Sequence, residues 1–374
     1  MTIGILKEIE GENRVAMLPE SVATLVKMNV AVLVEKDAGA RSFAFDKDYE
    51  QAGAKIESKA NVIAGADLVI KINAPEKEEI ALLKDGQVFM AVLNPYFNTD
   101  LVKELAAKNI TSFSMDVVPR TTRAQAMDIL SSMATVAGYK AVLTAANTLP
   151  KFFPMFMTAA GTIKPANMLI LGAGVAGLQA IATSRKLGAV VYVFDVRAAV
   201  KEEVMGLGGK FVEVEGAIDD KAAGGYAVEQ TDEFKARQAK AIHDQAVKSD
   251  VIICTAQIPG KRAPLLIRKE TVEAMNPGSV IIDLAASTGG NCEVCKNNET
   301  VIHNGVKIIG NSNLPTDMPT DASRMFGKNV INFLKLIITK EGAMNLNWED
   351  DIVKGTAVTH GKEIVHERVK SVIG

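Results

Sequence analysis

The chain has 374 residues, of which 48% are hydrophobic and 23% charged, and its formal net charge is −2. That is enough for two domains with cores of their own, and it gives no reason to expect nucleic acid or an anionic membrane surface as a partner. Three cysteines make no disulfide framework, and no run reads as the roughly 18 apolar residues a membrane helix needs.

Met1-Thr-Ile-Gly-Ile-Leu-Lys7 reads as a short strand rather than a cationic, then apolar, leader. A cytoplasmic enzyme is therefore expected, with any membrane association coming through a partner. Strand and helix signals then alternate along nearly the whole chain, the pattern of a parallel sheet covered by helices on both faces. Towards the N-terminus strands are predicted at Ile3–Leu6, Val30–Val34, Leu68–Ile72, Val88–Leu93 and Thr111–Ser114. Helices are expected at Pro19–Met28, with proline in its first turn, and at Leu101–Lys108. An Ala-, Met- and Leu-rich stretch from Arg123 to about Asn147 has no internal breaker and predicts a long connecting helix. Strands at Met168–Leu171, Val190–Phe194, Phe211–Val214, Val251–Cys254, Val280–Asp283 and Lys307–Ile309 follow. Ala322–Thr339 is a second long helix, placed to return the chain to the first domain, which Trp348 and the last segment complete. The expected architecture is α/β: two doubly wound, Rossmann-like parallel-sheet domains joined by two long helices. Residues 1–137 with 325–374 would form one and 138–324 the other, with the cofactor in the cleft between them.

The most informative stretch is Leu169-Ile-Leu-Gly172-Ala-Gly174-Val-Ala-Gly177. An apolar strand runs into three glycines at G-x-G-x-x-G spacing, and Leu178 to Leu187 reads as a helix. Gly172 and Gly174 allow a tight turn and the approach of backbone N–H groups to a pyrophosphate; Gly177 lets helix pack on strand. A second buried strand, Val190–Phe194, ends at Asp195, whose carboxylate can accept bonds from the ribose hydroxyls of NAD and would repel the 2′-phosphate of NADP. Strand, helix, strand and terminal acid together point to NAD(H).

Longer motifs make the chain recognisable. Lys7-Glu8, Glu12-Asn-Arg14-Val15-Ala16, Pro19 and the glycine unit resemble the family that holds alanine dehydrogenase and the NAD(H)-binding component (domain I, the leading portion of the alpha subunit) of proton-translocating nicotinamide nucleotide transhydrogenase. The block Val118-Pro-Arg120-Thr-Thr-Arg123-Ala-Gln125-Ala-Met-Asp128-Ile-Leu-Ser131-Ser132, followed by Ala137-Gly138-Tyr139, is similar to the transhydrogenase branch. So are Phe194-Asp195-Val196-Arg197, Gly224-Gly225-Tyr226-Ala227, Thr255-Ala256-Gln257-Ile258-Pro259-Gly260-Lys261 and Asp283-Leu-Ala with Gly289-Gly290-Asn291. In alanine dehydrogenase a lysine and a histidine of the first domain handle the amino acid. The matching positions here are Asn73 and Asn94, Ser287 replaces an expected aspartate, and Lys71 stands two residues from Asn73 on the same strand face. None of the four histidines lies in the first half of the chain. Oxidative deamination needs a positioned acid/base group, whereas hydride transfer between two nicotinamides moves no proton. The losses therefore fit a transhydrogenase.

The resemblance implies the remaining roles. Arg120 and Asp128 would pair and reach the carboxamide and ribose, Gln125 would contact the nicotinamide ribose and the incoming NADP(H), and Ser131 would bond the carboxamide. Read from the residues alone, Arg120, Arg123 and Asp128 could equally be a capping or salt-bridge cluster at a helix start. The adenosine end would rest on Val175, Asp195, Val196, Arg197, Gln238 and Gln257. Gly225 and Tyr226, inside the long polar loop Glu215–Asp232, would close over it. Arg197 could pair with Asp195 or a neighbouring acid, or lie over the adenine. NADP(H) would be held by a partner and not by this chain. Further partners implied are membrane-spanning subunits, on the cytoplasmic face of the inner membrane or the matrix side of a mitochondrion, and a second copy of the chain. Such a chain would be a separate subunit or a piece of a longer one. The apolar loop around Met155, Phe156 and Met157 suits self-association. Cys292-Glu-Val-Cys295, with His303 nearby, has half the spacing of a zinc site but lacks a second cysteine pair, and no metal is expected. The rivals are an alanine-type amino-acid dehydrogenase and a non-catalytic NAD-binding regulator.

Overall fold

The computed structural model describes residues 1–216, 231–258 and 262–373, and the chain divides into two compact units: Met1–Met133 with Pro315–Gly374, and Ala134–Leu314. The chain passes from the first to the second within helix Ile129–Thr148 and returns at the turn Leu314–Asp317, which leads into helix Pro319–Ile337.

In the first unit eight strands form one sheet, in the order Glu363–Ile364, Ala357–His360, Thr111–Ser114, Val88–Val92, Leu68–Asn73, Thr2–Ile5, Ala31–Glu35 and Lys55–Glu57. The last six are parallel; the two that end the sheet at the other side are antiparallel. Leu68–Asn73 is buried along its first five residues because helices cover both faces, so its sequence is a continuous apolar run broken only by Lys71. Helix Pro319–Ile337 lays Phe326, Val330, Phe333, Leu334 and Ile337 into the core that Ile3, Ile5, Val32, Val34 and Ile70 build. The end of the chain thus completes the beginning.

The second unit holds seven strands in the order Lys210–Phe211, Val190–Phe194, Asn167–Leu171, Val251–Cys254, Val280–Asp283, Val306–Ile309 and Thr300–His303, all parallel but the last. Successive residues serve opposite faces. Met168, Ile170, Val191, Val193, Val251 and Ile253 pack one core, and Leu169, Leu171, Ile252, Cys254, Ile281 and Ile308 the other. In both units the winding reverses between the first and fourth strands, the doubly wound arrangement.

Three expectations need correction. The long helix starts at Ile129, not Arg123: Thr122–Met127 is a separate 3-10 helix, and Asp128, at φ −74 and ψ 94, breaks the path between them. The strand expected at Phe211–Val214 is only Lys210–Phe211. Helix Ile129–Thr148, at 20 residues, is long and apolar enough to cross a membrane by length and composition, although no such run was expected. Its Ala141, Val142 and Ala145 pack into the second unit's core, and a core helix meets the same measure of length and apolarity.

Candidate nucleotide site

The glycine turn follows strand Asn167–Leu171. Gly172 has φ +100, and a Cβ there would stand 2.6 Å from Thr255 Oγ1 and 3.2 Å from the Ala256 nitrogen. At Gly177 a Cβ would lie 1.9 Å from the Gly172 carbonyl oxygen, so only glycine lets helix Val175–Lys186 approach the strand this closely. Gly174 is the N-cap of that helix, and a Cβ on it would meet no atom within 4 Å. Packing does not explain this glycine, and the open space before it would admit a phosphate close to the backbone. Val175, the first helical residue, is 43% exposed. The turn leaves the first N–H groups of a 12-residue helix without intrahelical partners, the end where the helix dipole is positive.

Asp195 follows the adjacent strand and is 9% exposed. One carboxylate oxygen accepts from the Ala173 nitrogen at 2.7 Å, which ties the acid to the glycine turn. The other accepts from the Arg197 backbone nitrogen and Nε, both at 2.9 Å, while Arg197 Nη2 donates at 2.7 Å to the oxygen that Ala173 also bonds. Of the two readings of Arg197, the structure shows the pair with Asp195. Val196 is half-buried against the core.

A third group of residues escaped sequence reasoning as individuals. Thr255 Oγ1 donates to the Leu171 and Gly172 carbonyls at 3.1 and 3.0 Å, fastening the end of strand Val251–Cys254 to the glycine turn. Asn291 takes both polar groups of Ala256, donating to its carbonyl at 2.9 Å and accepting from its nitrogen at 3.1 Å. Buried Asp283 accepts from the nitrogens of Ala285, Asn291 and Cys292. These polar residues following apolar strands were the available signal. Gln257 is exposed and donates to the Leu284 carbonyl at 2.9 Å. Gln238 is half-buried on helix Asp232–Ala246. Gly225 and Tyr226 lie outside the described residues, as do Pro259, Gly260 and Lys261.

The Arg120–Ser131 segment belongs to the first unit. Arg120 and Gln125 are exposed, whereas Ala124 and Met127 are buried in the core. Asp128 caps helix Ile129–Thr148: its carboxylate accepts from the Ser131 nitrogen at 3.0 Å and from Ser131 Oγ at 2.6 Å. Arg123 pairs with Asp350 at 2.7 and 2.9 Å and with Asp351.

The positions that would serve amino-acid chemistry are occupied by structural bonds. Lys71 is fully buried, with its ammonium 2.9 and 3.0 Å from the two oxygens of Glu79. Arg14 is clamped by Glu12 through Nε at 2.8 Å and Nη2 at 2.6 Å. Asn73 donates to Glu8, whose carboxylate also accepts from the backbone nitrogens of Ile72 and Asn73. Burial pushes the Glu8 carboxyl up to about 7 despite those donors. Asn94 is exposed at φ +49 and starts a turn. Among the described residues no cluster of three or more His, Cys, Asp or Glu could hold a metal. Burial pushes the Cys292 and Cys295 thiols up to about 12, and His303 bonds Glu273.

Family models cover nearly the whole chain. Residues 4–137 match the N-terminal domain of alanine dehydrogenase/PNT and residues 141–367 its C-terminal domain. The chain belongs to the alanine dehydrogenase/PNT family. It is 46% identical to the first portion of NAD(P) transhydrogenase subunit alpha of Rhodospirillum rubrum, over 98% of both chains. The crystal structure of transhydrogenase from Sinorhizobium meliloti superposes with a TM-score of 0.90 at 41% identity, covering 98% of this chain and 100% of that one. An L-alanine dehydrogenase structure lies further off, with a TM-score of 0.80 at 26% identity over 100% and 99% of the chains. The transhydrogenase branch is the nearer of the two.

Proposed function

We propose that the chain is the NAD(H)-binding component of a proton-translocating NAD(P) transhydrogenase. It binds NAD(H) on the glycine turn and exchanges hydride directly with NADP(H) held by a partner domain, and a membrane part couples that exchange to proton translocation. One observation carries the choice within the family: Lys71, the cation nearest the substrate lysine's position, is sealed against Glu79. A site without a free acid/base group can position two nicotinamides but cannot deaminate an amino acid.

In this reading Gly172, Gly174, Val175 and Gly177 receive the pyrophosphate, and Asp195 takes the adenosine ribose. Val196, Arg197, Gln238 and Gln257 line the adenosine end, with Gly225 and Tyr226 completing the hold. Arg120, Gln125, Asp128 and Ser131 orient the nicotinamide and its ribose. The chain works at the cytoplasmic face of the inner membrane, or the matrix side, through its partners. It also pairs with a second copy through the hairpin Phe156–Thr158 and Gly161–Ile163, where Met155 is 57% and Met157 77% exposed. A dimeric mass lost in Phe156→Asp supports the pairing; a monomeric wild type refutes it.

The deciding experiment mixes the chain with the NADP(H)-binding component of a transhydrogenase and follows reduction of an NAD analogue by NADPH. Transfer is expected only in the mixture. Reduction of NAD by alanine with the chain alone overturns the reading.

A further inference from the structure

Ala126 sits between Gln125 and Met127 at the end of the 3-10 helix Thr122–Met127. Carbonyls at a helix end lack intrahelical donors and must find others. Two side chains meet this one: Asn329 Nδ2 donates to Ala126 O at 2.9 Å and Asn332 Nδ2 at 3.1 Å. The asparagines are three residues apart on helix Pro319–Ile337, so they present adjacent amides from one face. More than 200 residues of sequence separate them from the carbonyl they hold.

Nothing in the packing of that helix demands asparagine. Asn329 is 7% exposed, and its Oδ1 has no hydrogen-bond partner among the described residues. A buried amide with one end unsatisfied is unfavourable, and is retained where the other end does something useful. The neighbouring residue is fixed from another side, Arg123 being forked onto Asp350, while Ala124 and Met127 root the turn in the core. Gln125 is left exposed between these anchors.

We infer that Asn329 and Asn332 are positioning residues for hydride transfer. By fixing the Ala126 carbonyl they fix the peptide plane that joins Ala126 to Met127, and so restrain the backbone that leads from Gln125 to the Asp128 cap. This rests on the proposed function. Misorienting a group that aligns two rings lowers turnover far more than it lowers affinity for either coenzyme.

The test uses the full chain with the NADP(H)-binding component. Asn332→Ala is the main variant because Asn332 is only half-buried, whereas Asn329 is buried. Expected are a kcat about tenfold lower, an NADH dissociation constant within about twofold of wild type and a thermal midpoint near that of wild type. Asn332→Gln, which keeps an amide donor, restores most of kcat, and Asn329→Ala with Asn332→Ala lowers it further. Unchanged kcat in the single and double variants overturns the inference. So does a parallel loss of kcat, affinity and thermal midpoint that glutamine does not rescue, which is the mark of a purely structural role. Wild-type chain that transfers no hydride overturns the functional reading and the inference with it; active wild type with unaffected variants overturns the inference alone.

Discussion

Winding reverses between Thr2–Ile5 and Leu68–Asn73 in the first sheet and between Asn167–Leu171 and Val251–Cys254 in the second, and ligands of such sheets bind where it does. In the second sheet that point carries Gly172, Gly174 and Gly177, with the N–H groups of a 12-residue helix behind them. In the first it carries Glu8, whose carboxylate takes the Ile72 and Asn73 nitrogens and the Asn73 amide. One sheet leaves its backbone donors open, where the proposed reading puts a phosphate, and the other spends them on its own side chain. Strand order makes the place; the residues after the first strand decide what is bound there.

The sharpest way to break this contrast is Gly177→Ala. Its Cβ has no room beside the Gly172 carbonyl, so the turn must move, and the rise in thermal midpoint on adding NADH should vanish. A retained rise would mean that the turn does not hold the coenzyme. Lys71→Met tests the first sheet. Removing one partner of a buried pair leaves Glu79 with Lys59 and the Glu76 backbone nitrogen alone, at a cost of about 4 kcal/mol in denaturant unfolding. NADH binding should survive; if folded Lys71→Met loses hydride transfer while keeping affinity, Lys71 belongs to the chemistry.

Glu8 gives a smaller, pH-dependent effect. Its carboxyl titrates near 7 in the folded chain against 4.5 for the ordinary group, so the folded state binds the proton more tightly. The stability this brings is complete below about 4.5 and is lost as pH rises through about 7, amounting to at most about 3 kcal/mol. The difference in unfolding free energy between wild type and Glu8→Gln should therefore drift across that window; a constant difference refutes the assignment. Smallest is coenzyme selectivity. On the proposed reading Asp195 would face the position of a 2′-phosphate, so NADH should stabilise the wild type and NADPH should not. In Asp195→Ala the Arg197 cation remains without that carboxylate, and the preference should fall about tenfold. Equal thermal stabilisation of the wild type by both coenzymes would remove Asp195 as the discriminator.

Much of the fold was legible because central parallel strands, buried on both faces, read as apolar runs: Val190–Phe194, Val251–Cys254 and Val280–Asp283 fall on the expected residues. Edge strands lack that mark. Lys55–Glu57 and Thr300–His303 are at least half polar and partly exposed; Ala357–His360, one strand in from the other edge, pairs with a strand more than 200 residues away. The helix start at Ile129 was hidden because Arg123 to Met127 has no breaker; what stops the helix is the Asp128 side chain bonding Ser131. At the site, glycine spacing and the terminal acid were readable, since both are local. The ties that hold them, from Thr255, Asn291 and Asp283, join distant segments and could not be read from spacing. For the same reason the asparagines that hold Ala126 gave no signal.

The first unit is assembled from both ends of the chain, and helix Pro319–Ile337 fills a core begun by Ile3 and Ile5. A ribosome therefore releases the nucleotide-binding unit, which is continuous in sequence, able to fold while the amino-terminal strands still wait for their missing helix. During synthesis those strands are exposed apolar edges in need of protection, and a premature stop near residue 320 should leave a folded middle attached to a sticky, protease-sensitive start.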